Sequence, residues 1–228
     1  WRTGYKLSIQ PNAIIEERKI VCISYKWQGD EKVSNFKWDK DMDDKSMIKK
    51  FVKIMNNADE LIGHNIDNFD LKWIRTRAIF HRIPMRPYYR TFDTLKKARG
   101  SFYFNSNTLD YLAKFLNVGA KMKHDGFDMW VNVMQNDKKA LQMMLNYCDQ
   151  DIITLEDVFY VMQNYVKHNT HVGIIRGKKA HSCPNCGSDK NIYLLKNDVT
   201  PMGFIKRVME CPNCGYVYSI SNRKYLNK

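Results

Sequence analysis

Two stretches of the 228-residue chain hold side chains whose type and spacing could do chemistry. In Ile62-Gly-His-Asn-Ile-Asp-Asn-Phe-Asp70-Leu-Lys-Trp-Ile74, Asp70 falls at a helix start just beyond a strand end. The electropositive helix N-terminus is expected to keep that carboxylate ionised. In Tyr147-Cys-Asp-Gln-Asp151, phenol and carboxylate are four positions apart, hence on one face of a helix. A hydroxyl and a carboxylate aimed at one point suit activation of a water beside a metal ion. Each stretch alone has a plainer reading: a helix-initial Asp is commonly a cap, and a Tyr four from an Asp is commonly incidental.

Six cysteines form two groups. Cys22 lies in a strand-like run and Cys148 in a helical one, and both read as small buried apolar residues. The others make Cys183-Pro-Asn-Cys186-Gly and Cys211-Pro-Asn-Cys214-Gly, with 24 residues between the pairs. Each turn places two thiolates on one side of a tight knuckle. Two knuckles at the ends of a hairpin complete a tetrahedral Zn²⁺ shell. The competing readings are two redox sites or two disulfides. A redox CxxC comes singly beside a βαβ unit, and nothing in the sequence suggests an oxidising compartment. A ribbon of this size buries too little to stand alone, so metal is expected to supply most of its folding energy.

The elements that must position these groups alternate along the first two thirds of the chain. Residues 20–27 are rich in β-branched and aromatic side chains, and 32–38 alternate like a hairpin partner. Residues 46–55 have a helical apolar period, 60–63 make a short strand, 68–80 a helix stopping before Pro84, and 88–92 another strand. Residues 108–116, 138–147 and 152–165 are helical. This order predicts an α/β class, a mixed β-sheet with helices on its faces, and a small C-terminal module. Asn65 and Asp93 fall at strand carboxyl ends, where open α/β sheets gather ligands. The expected domains are 1–170, a linker at 171–180 with two glycines, and a zinc ribbon at 181–228.

Charge points to the partner. Thirty-seven Lys and Arg against 24 Asp and Glu give a net charge of +13, which favours polyanions, nucleic acid first. Residues 158–228 carry 11 basic and 3 acidic side chains. Between positions 71 and 92 stand Lys72, Arg75, Arg77, Arg82, Arg86 and Arg90 with no acidic residue, directly after Asp70. They are expected to hold a phosphate backbone without reading sequence, against the plainer reading of a solvated helix face. Ser101-Phe-Tyr-Phe104 could stack unpaired bases or be buried under its loop. His64 and His81 have no partner at ligand spacing. No run approaches the roughly 20 apolar residues of a membrane helix, and no signal peptide is visible, so membrane function is excluded.

N-x-x-x-F-D ending at Asp70, followed by Y-x-x-x-D from Tyr147 to Asp151, resembles the second and third motifs of the DEDDy 3′→5′ exonucleases. These have the RNase H-like (DnaQ-like) fold and include the proofreading domains of family-B DNA polymerases. The chain looks most like stand-alone members from phages and prokaryotes, some of which carry a zinc ribbon. The resemblance covers roughly residues 1–165. It implies Asp70, Tyr147 and Asp151 as catalytic residues, Asp70 and Asp151 as ligands of Mg²⁺ or Mn²⁺, and Asn65 as a contact to the substrate strand. It further implies two-metal phosphodiester hydrolysis on single-stranded or frayed nucleic acid, single-stranded DNA first, in a prokaryotic or phage-infected cytoplasm. Replication or repair proteins are the expected protein partners.

One departure is large. The family's first motif, D-x-E on its first strand, supplies two of four metal-binding carboxylates, and no Asp-x-Glu occurs anywhere in this sequence. Asp39-x-Asp41-x-Asp43 lies in a polar loop and fails as an EF-hand, with no glycine sixth and Lys50 twelfth. Relatives place the motif shortly before a segment like WRTGYKLSI, and Trp1 opens this chain, so a lost N-terminal segment is expected. With two of four carboxylates the chain is expected to bind catalytic metal poorly and cleave slowly. The rival expectation is a noncatalytic nucleic-acid binder with a degenerate exonuclease fold, and a weaker one is an adaptor docking through its ribbon.

Overall fold

The expected hairpin forms as β1 (Cys22–Tyr25) and β2 (Ser34–Lys37), antiparallel, with Cys22 opposite Lys37 and Tyr25 opposite Ser34. The structure is a computed structural model describing residues 11–119 and 127–227. The segment read as following a D-x-E strand, residues 1–10, lies outside the described residues. Helix α1 (Lys45–Asn57) buries Met47, Ile48, Val52 and Met55, spaced to share one face. It packs on α2 (Asp70–Phe80), and Ile48, Val52 and Met55 join Leu71, Ile74 and Ala78 in one cluster. Between these helices runs β3 (Leu61–Gly63); β4 (Thr91–Asp93) lies parallel beside it, with Leu61 opposite Thr91.

Helices α3 (Thr94–Ser101), α4 (Leu109–Leu116), α5 (Phe127–Met134) and α6 (Lys138–Met162) complete this part. The two helical runs expected at 138–147 and 152–165 are a single 25-residue helix. The polar triplet Asp149-Gln150-Asp151 does not break it, because Ser24 Oγ (2.6 Å) and Asn35 Nδ2 (2.8 Å) donate to the Asp149 carboxylate from the hairpin. Helix α6 thereby lies across β1, and it buries Leu145, Leu155, Val158 and Phe159.

The described strands include both pairings that a mixed sheet combines, antiparallel β1–β2 and parallel β3–β4. The described strands of this part form two separate pairs, β1–β2 and β3–β4, with no hydrogen bonds joining them. Residues 20–25 and 61–65 are among those lining a cavity of about 2590 Å³.

Beyond α6 the chain does not run out as an extended linker. Residues 172–175 form α7 (Val172–Ile175), and Val172 N–H donates to Pro184 O (2.9 Å) while Arg176 donates to Cys186 O (3.0 Å). Gly173 sits so close to Ser182 that a Cβ would meet its hydroxyl at 1.9 Å, so only glycine fits there. The last part is a three-stranded antiparallel sheet of β5 (Tyr193–Val199), β6 (Ile205–Glu210) and β7 (Val217–Ser221), closed by α8 (Asn222–Leu226). Its core is small: Cys183, Ile192, Met209, Cys211, Tyr218 and Ile220. No helix among the described residues is long and apolar enough to cross a membrane.

His168, just before α7, is buried against Phe92 and Phe159, with centroid distances of 4.8 and 5.8 Å. Glu60 Oε2 lies 3.9 Å from its Nδ1. Burial, with Lys97 and Arg176 nearby, lowers its pKa to about 4. An unfolded chain, with imidazole near 6.5, therefore takes up a proton that the folded one refuses. Stability should fall as pH drops from about 6.5 toward 4, by up to about 3 kcal/mol. Glu60 works the other way: burial raises its carboxyl, so protonating it in the folded state returns part of the loss. Urea midpoints at pH 7 and 5 should show the decline in the natural chain and a flatter profile in His168→Phe.

Candidate active site and metal centre

The β3–α2 turn is shaped by a carboxylate that is not itself exposed. Asp93, at the end of β4, accepts from Asn65 N–H (2.9 Å) and Asp67 N–H (3.3 Å), and caps α3 through Leu95 N–H (3.0 Å) and Lys96 N–H (3.2 Å). Asn65 itself takes φ +66°, a conformation Asn tolerates better than most residues. One buried Asp thus fixes the loop that carries Asn65 and leads into Asp70. The sequence placed Asp93 at a strand end but did not reveal this clamp; its Asp-Thr-Leu-Lys run is a capping signal that could have done so. His64, beside Asn65, hydrogen-bonds Thr94 Oγ1 through Nδ1 (2.9 Å), and desolvation holds its pKa below the usual value.

Asp70 opens α2 with its side chain reachable by solvent through the cavity. Protein crowding around the carboxyl, with a smaller push from the Asp93 charge, raises its pKa to about 6, although its own backbone N–H pulls the other way. Desolvation thus outweighs the helix dipole, and a carboxyl with a pKa of about 6 is still mostly ionised at pH 7. Tyr147 and Asp151, half-buried on successive turns of α6, line the same cavity as Asn65 and Asp70. Cys148, between them, approaches Cys22 of β1 with 3.6 Å between sulfurs, well beyond the roughly 2.05 Å of a disulfide. Both thiols are free and half-buried, packed against the core cluster of Trp38, Met129 and Met144.

The basic run divides. Lys72 and Arg75 project from the exposed face of α2, Arg75 touching Pro87 O at 3.3 Å, and Arg82, Arg86 and Arg90 are exposed. Arg77 is a correction: it is 2% exposed and forms a two-point ion pair with Asp44, through Nε (2.7 Å) and Nη2 (2.8 Å). It faces the core one turn past Ile74, so no phosphate reaches it. His81 Nε2 lies 2.6 Å from Asp44 Oδ1, and Ile20 N–H donates to Asp44 Oδ2 at 2.9 Å. Burial alone would raise the Asp44 carboxyl, but Arg77, Ile20 N–H and His81 together hold it below its usual value. Asp43, Asp44 and His81 are close enough to suggest a cation site, yet the guanidinium already supplies the positive charge. Of the aromatic loop, Phe102 and Phe104 stack on each other and pack beside α4, while Tyr103 is fully exposed.

The four C-terminal cysteines converge. Their sulfurs lie within 4.8 Å of one another, with Cys183–Cys214 at 3.7 Å and Cys186–Cys211 at 3.6 Å. A tetrahedral ion with metal–sulfur bonds of about 2.3 Å requires sulfurs about 3.8 Å apart. Each knuckle is closed by glycine at positive φ, Gly187 (+74°) donating to Cys183 O and Gly215 (+68°) to Cys211 O. Asn185 and Cys186 N–H groups point at Cys183 Sγ (3.4 and 3.5 Å), and Asn213 Nδ2 at Cys186 Sγ (3.5 Å). Such donors stabilise thiolates, and the Cys186 thiol is lowered to about 7 despite the burial that opposes it.

A family model described as RNase_H superfamily (RNase_H_2) matches residues 15–163, well over half of the chain and all of the described strands and helices from β1 to α6. No curated protein matches the chain.

Proposed function

The chain belongs to the RNase_H superfamily, and we propose from that premise that it is a metal-dependent 3′→5′ exonuclease of the DEDDy type acting on single-stranded or frayed nucleic acid. Members of this superfamily are typically nucleases that use divalent metals and bind nucleic acid. The observation that carries the finer reading is that Asn65, Asp70, Tyr147 and Asp151, drawn from a loop and two helices up to 86 positions apart, line one cavity. Lys72 and Arg75 stand on the helix that Asp70 begins, ready to hold the strand's phosphates.

The residues present suit divalent cations. No Lys, Arg or His pairs with Asp70 among the described residues, and Asp93 adds like charge nearby. Carboxylate oxygens suit Mg²⁺ or Mn²⁺. Asp70 and Asp151 would hold such ions, which when bound acidify water and stabilise a leaving oxygen. Tyr147 orients the attacking water with its hydroxyl, and Asn65 steadies the strand end. The Cys183, Cys186, Cys211 and Cys214 cluster takes a structural Zn²⁺, and the basic ribbon around it grips substrate or a replication or repair protein.

In the full-length protein, Mn²⁺-dependent release of mononucleotides from 5′-labelled single strands should fall at least about a hundredfold in Asp151→Ala. Unchanged release would remove Asp151 from the site. The missing D-x-E favours one other reading, a noncatalytic binder on the same fold. It predicts retention of labelled strands by the full-length protein without any shortening, in Mn²⁺ as in chelator.

A further inference from the structure

The hairpin meets α6 through alternate residues of one strand. Cys22 and Ser24 of β1, with Lys26 just beyond it, stand two positions apart and share a face. Opposite them on α6, Cys148 Sγ lies 3.6 Å from Cys22 Sγ, Asp149 accepts from Ser24 Oγ at 2.6 Å, and Glu156 pairs with Lys26. Asn35 of β2 donates to the second Asp149 oxygen at 2.8 Å. The polar contacts beside the sulfurs fix strand against helix, so the two sulfurs are held in van der Waals contact. Metal binding does not account for their closeness. The C-terminal cysteines form a four-member ligand set, whereas no third His, Cys, Asp or Glu completes one with Cys22 and Cys148 among the described residues.

From this juxtaposition we infer that Cys22 and Cys148 are a redox pair, which a peroxide closes into a reversible disulfide tying β1 to α6. Both residues keep some solvent-exposed surface, which leaves them open to a molecule as small as hydrogen peroxide. One of the two, as its thiolate, attacks a peroxide oxygen, breaking the O–O bond, releasing hydroxide and leaving a sulfenic acid. The second thiol attacks that sulfur, forms the S–S bond and expels the sulfenic oxygen as hydroxide, while its own proton neutralises a hydroxide. Two thiols are thereby oxidised and one peroxide is reduced to water. A small-molecule thiol reverses the step by exchange and leaves as its own disulfide. Transient pairs of this kind suit a reducing compartment, where permanent disulfides are rare.

The place of the bond gives it a consequence. Tyr147 precedes Cys148, and Asp151 follows one helical turn later on the same side of α6. To bond, the sulfurs must close by about 1.5 Å, which draws that turn of the helix toward β1. Tyr147 and Asp151 move with it, and a divalent-ion site is sensitive to displacements of this size. The formation of the bond stands on the packing of β1 against α6 alone. Its effect on hydrolysis rests on the nuclease reading.

The test uses the whole 228-residue chain, supplied with zinc and treated with a small excess of hydrogen peroxide. Trypsin should then release residues 20–26 joined to residues 140–167, and dithiothreitol should separate them. Backbone amide signals of Tyr147 and Asp151 should shift on oxidation and return on reduction. Cys22→Ser and Cys148→Ser should show neither the cross-link nor the reversible shifts. Peroxide that leaves the two peptides unjoined, or joins only ribbon cysteines, would overturn the inference. So would a Cys22–Cys148 bond that leaves the Tyr147 and Asp151 signals unmoved. These readouts need no turnover, so they decide the inference apart from the nuclease reading. Mn²⁺-dependent nucleotide release should fall severalfold in the oxidised chain and hold steady in Cys22→Ser, whereas no release in either redox state would count against the nuclease reading alone.

Discussion

If the four C-terminal cysteines hold the proposed Zn²⁺, stripping it should unfold residues 181–227 while the preceding part keeps its structure. This part has a core cluster of only six buried side chains, two of them the cysteines Cys183 and Cys211. Structural zinc contributes roughly 10–16 kcal/mol of apparent binding free energy at neutral pH, far more than such a core can replace. Cys211→Ser should have the same result, since one lost thiolate opens the shell that Cys183, Cys186 and Cys214 share with it. Metal analysis should return one zinc per chain before chelation. Amide exchange should then become fast across β5–β7 and stay slow in α1 and α6. A ribbon that keeps its protection after chelation would show that packing alone sustains it.

The second large effect is at Arg77. Removing its side chain leaves the fully buried Asp44 with only His81 and Ile20 N–H to offset its charge, and Arg77→Ala should cost about 3 kcal/mol of stability. Asp44→Ala should cost a similar amount by stranding the guanidinium. Replacing both partners with apolar residues, Asp44→Leu with Arg77→Met, should recover most of the loss, because no charge is then stranded. Lowered in the folded state, the Asp44 carboxyl also makes the pair's contribution disappear as pH falls through its depressed pKa, and not above it. Denaturant melts of the single and double variants check this. A nucleic-acid defect with unchanged stability in Arg77→Ala would instead place the side chain at the surface.

That residue shows where sequence reasoning runs out. Arg77 sits in a basic run, and its neighbours Lys72 and Arg75 are exposed as the pattern suggests. Its burial depends on Asp44, 33 positions earlier, which no local period reveals. The helices α1, α2 and α4 were legible because each carries an apolar stripe at helical spacing. Helix α6 was read as two because Asp149 looks like an interruption; its partners Ser24 and Asn35 lie more than a hundred positions away. The Cys pairs were legible because their spacing is itself the geometry of a knuckle. Asp70 and Asp151 stood out as candidates only as members of a two-part pattern. The raised pKa of Asp70 and the clamp made by Asp93 needed the packed structure, since both are consequences of what crowds a carboxylate.

The central claim is that Asp70, Tyr147 and Asp151 share a divalent-ion site. Paramagnetic broadening of backbone amide signals by Mn²⁺ reads this without any need for turnover. On titration, signals around Asn65–Leu71 and Tyr147–Ile152 should broaden first and together, and the effect should vanish in Asp70→Asn with Asp151→Asn. Broadening centred instead on Asp43 and His81, or an absence of localised broadening at either segment, would contradict the account.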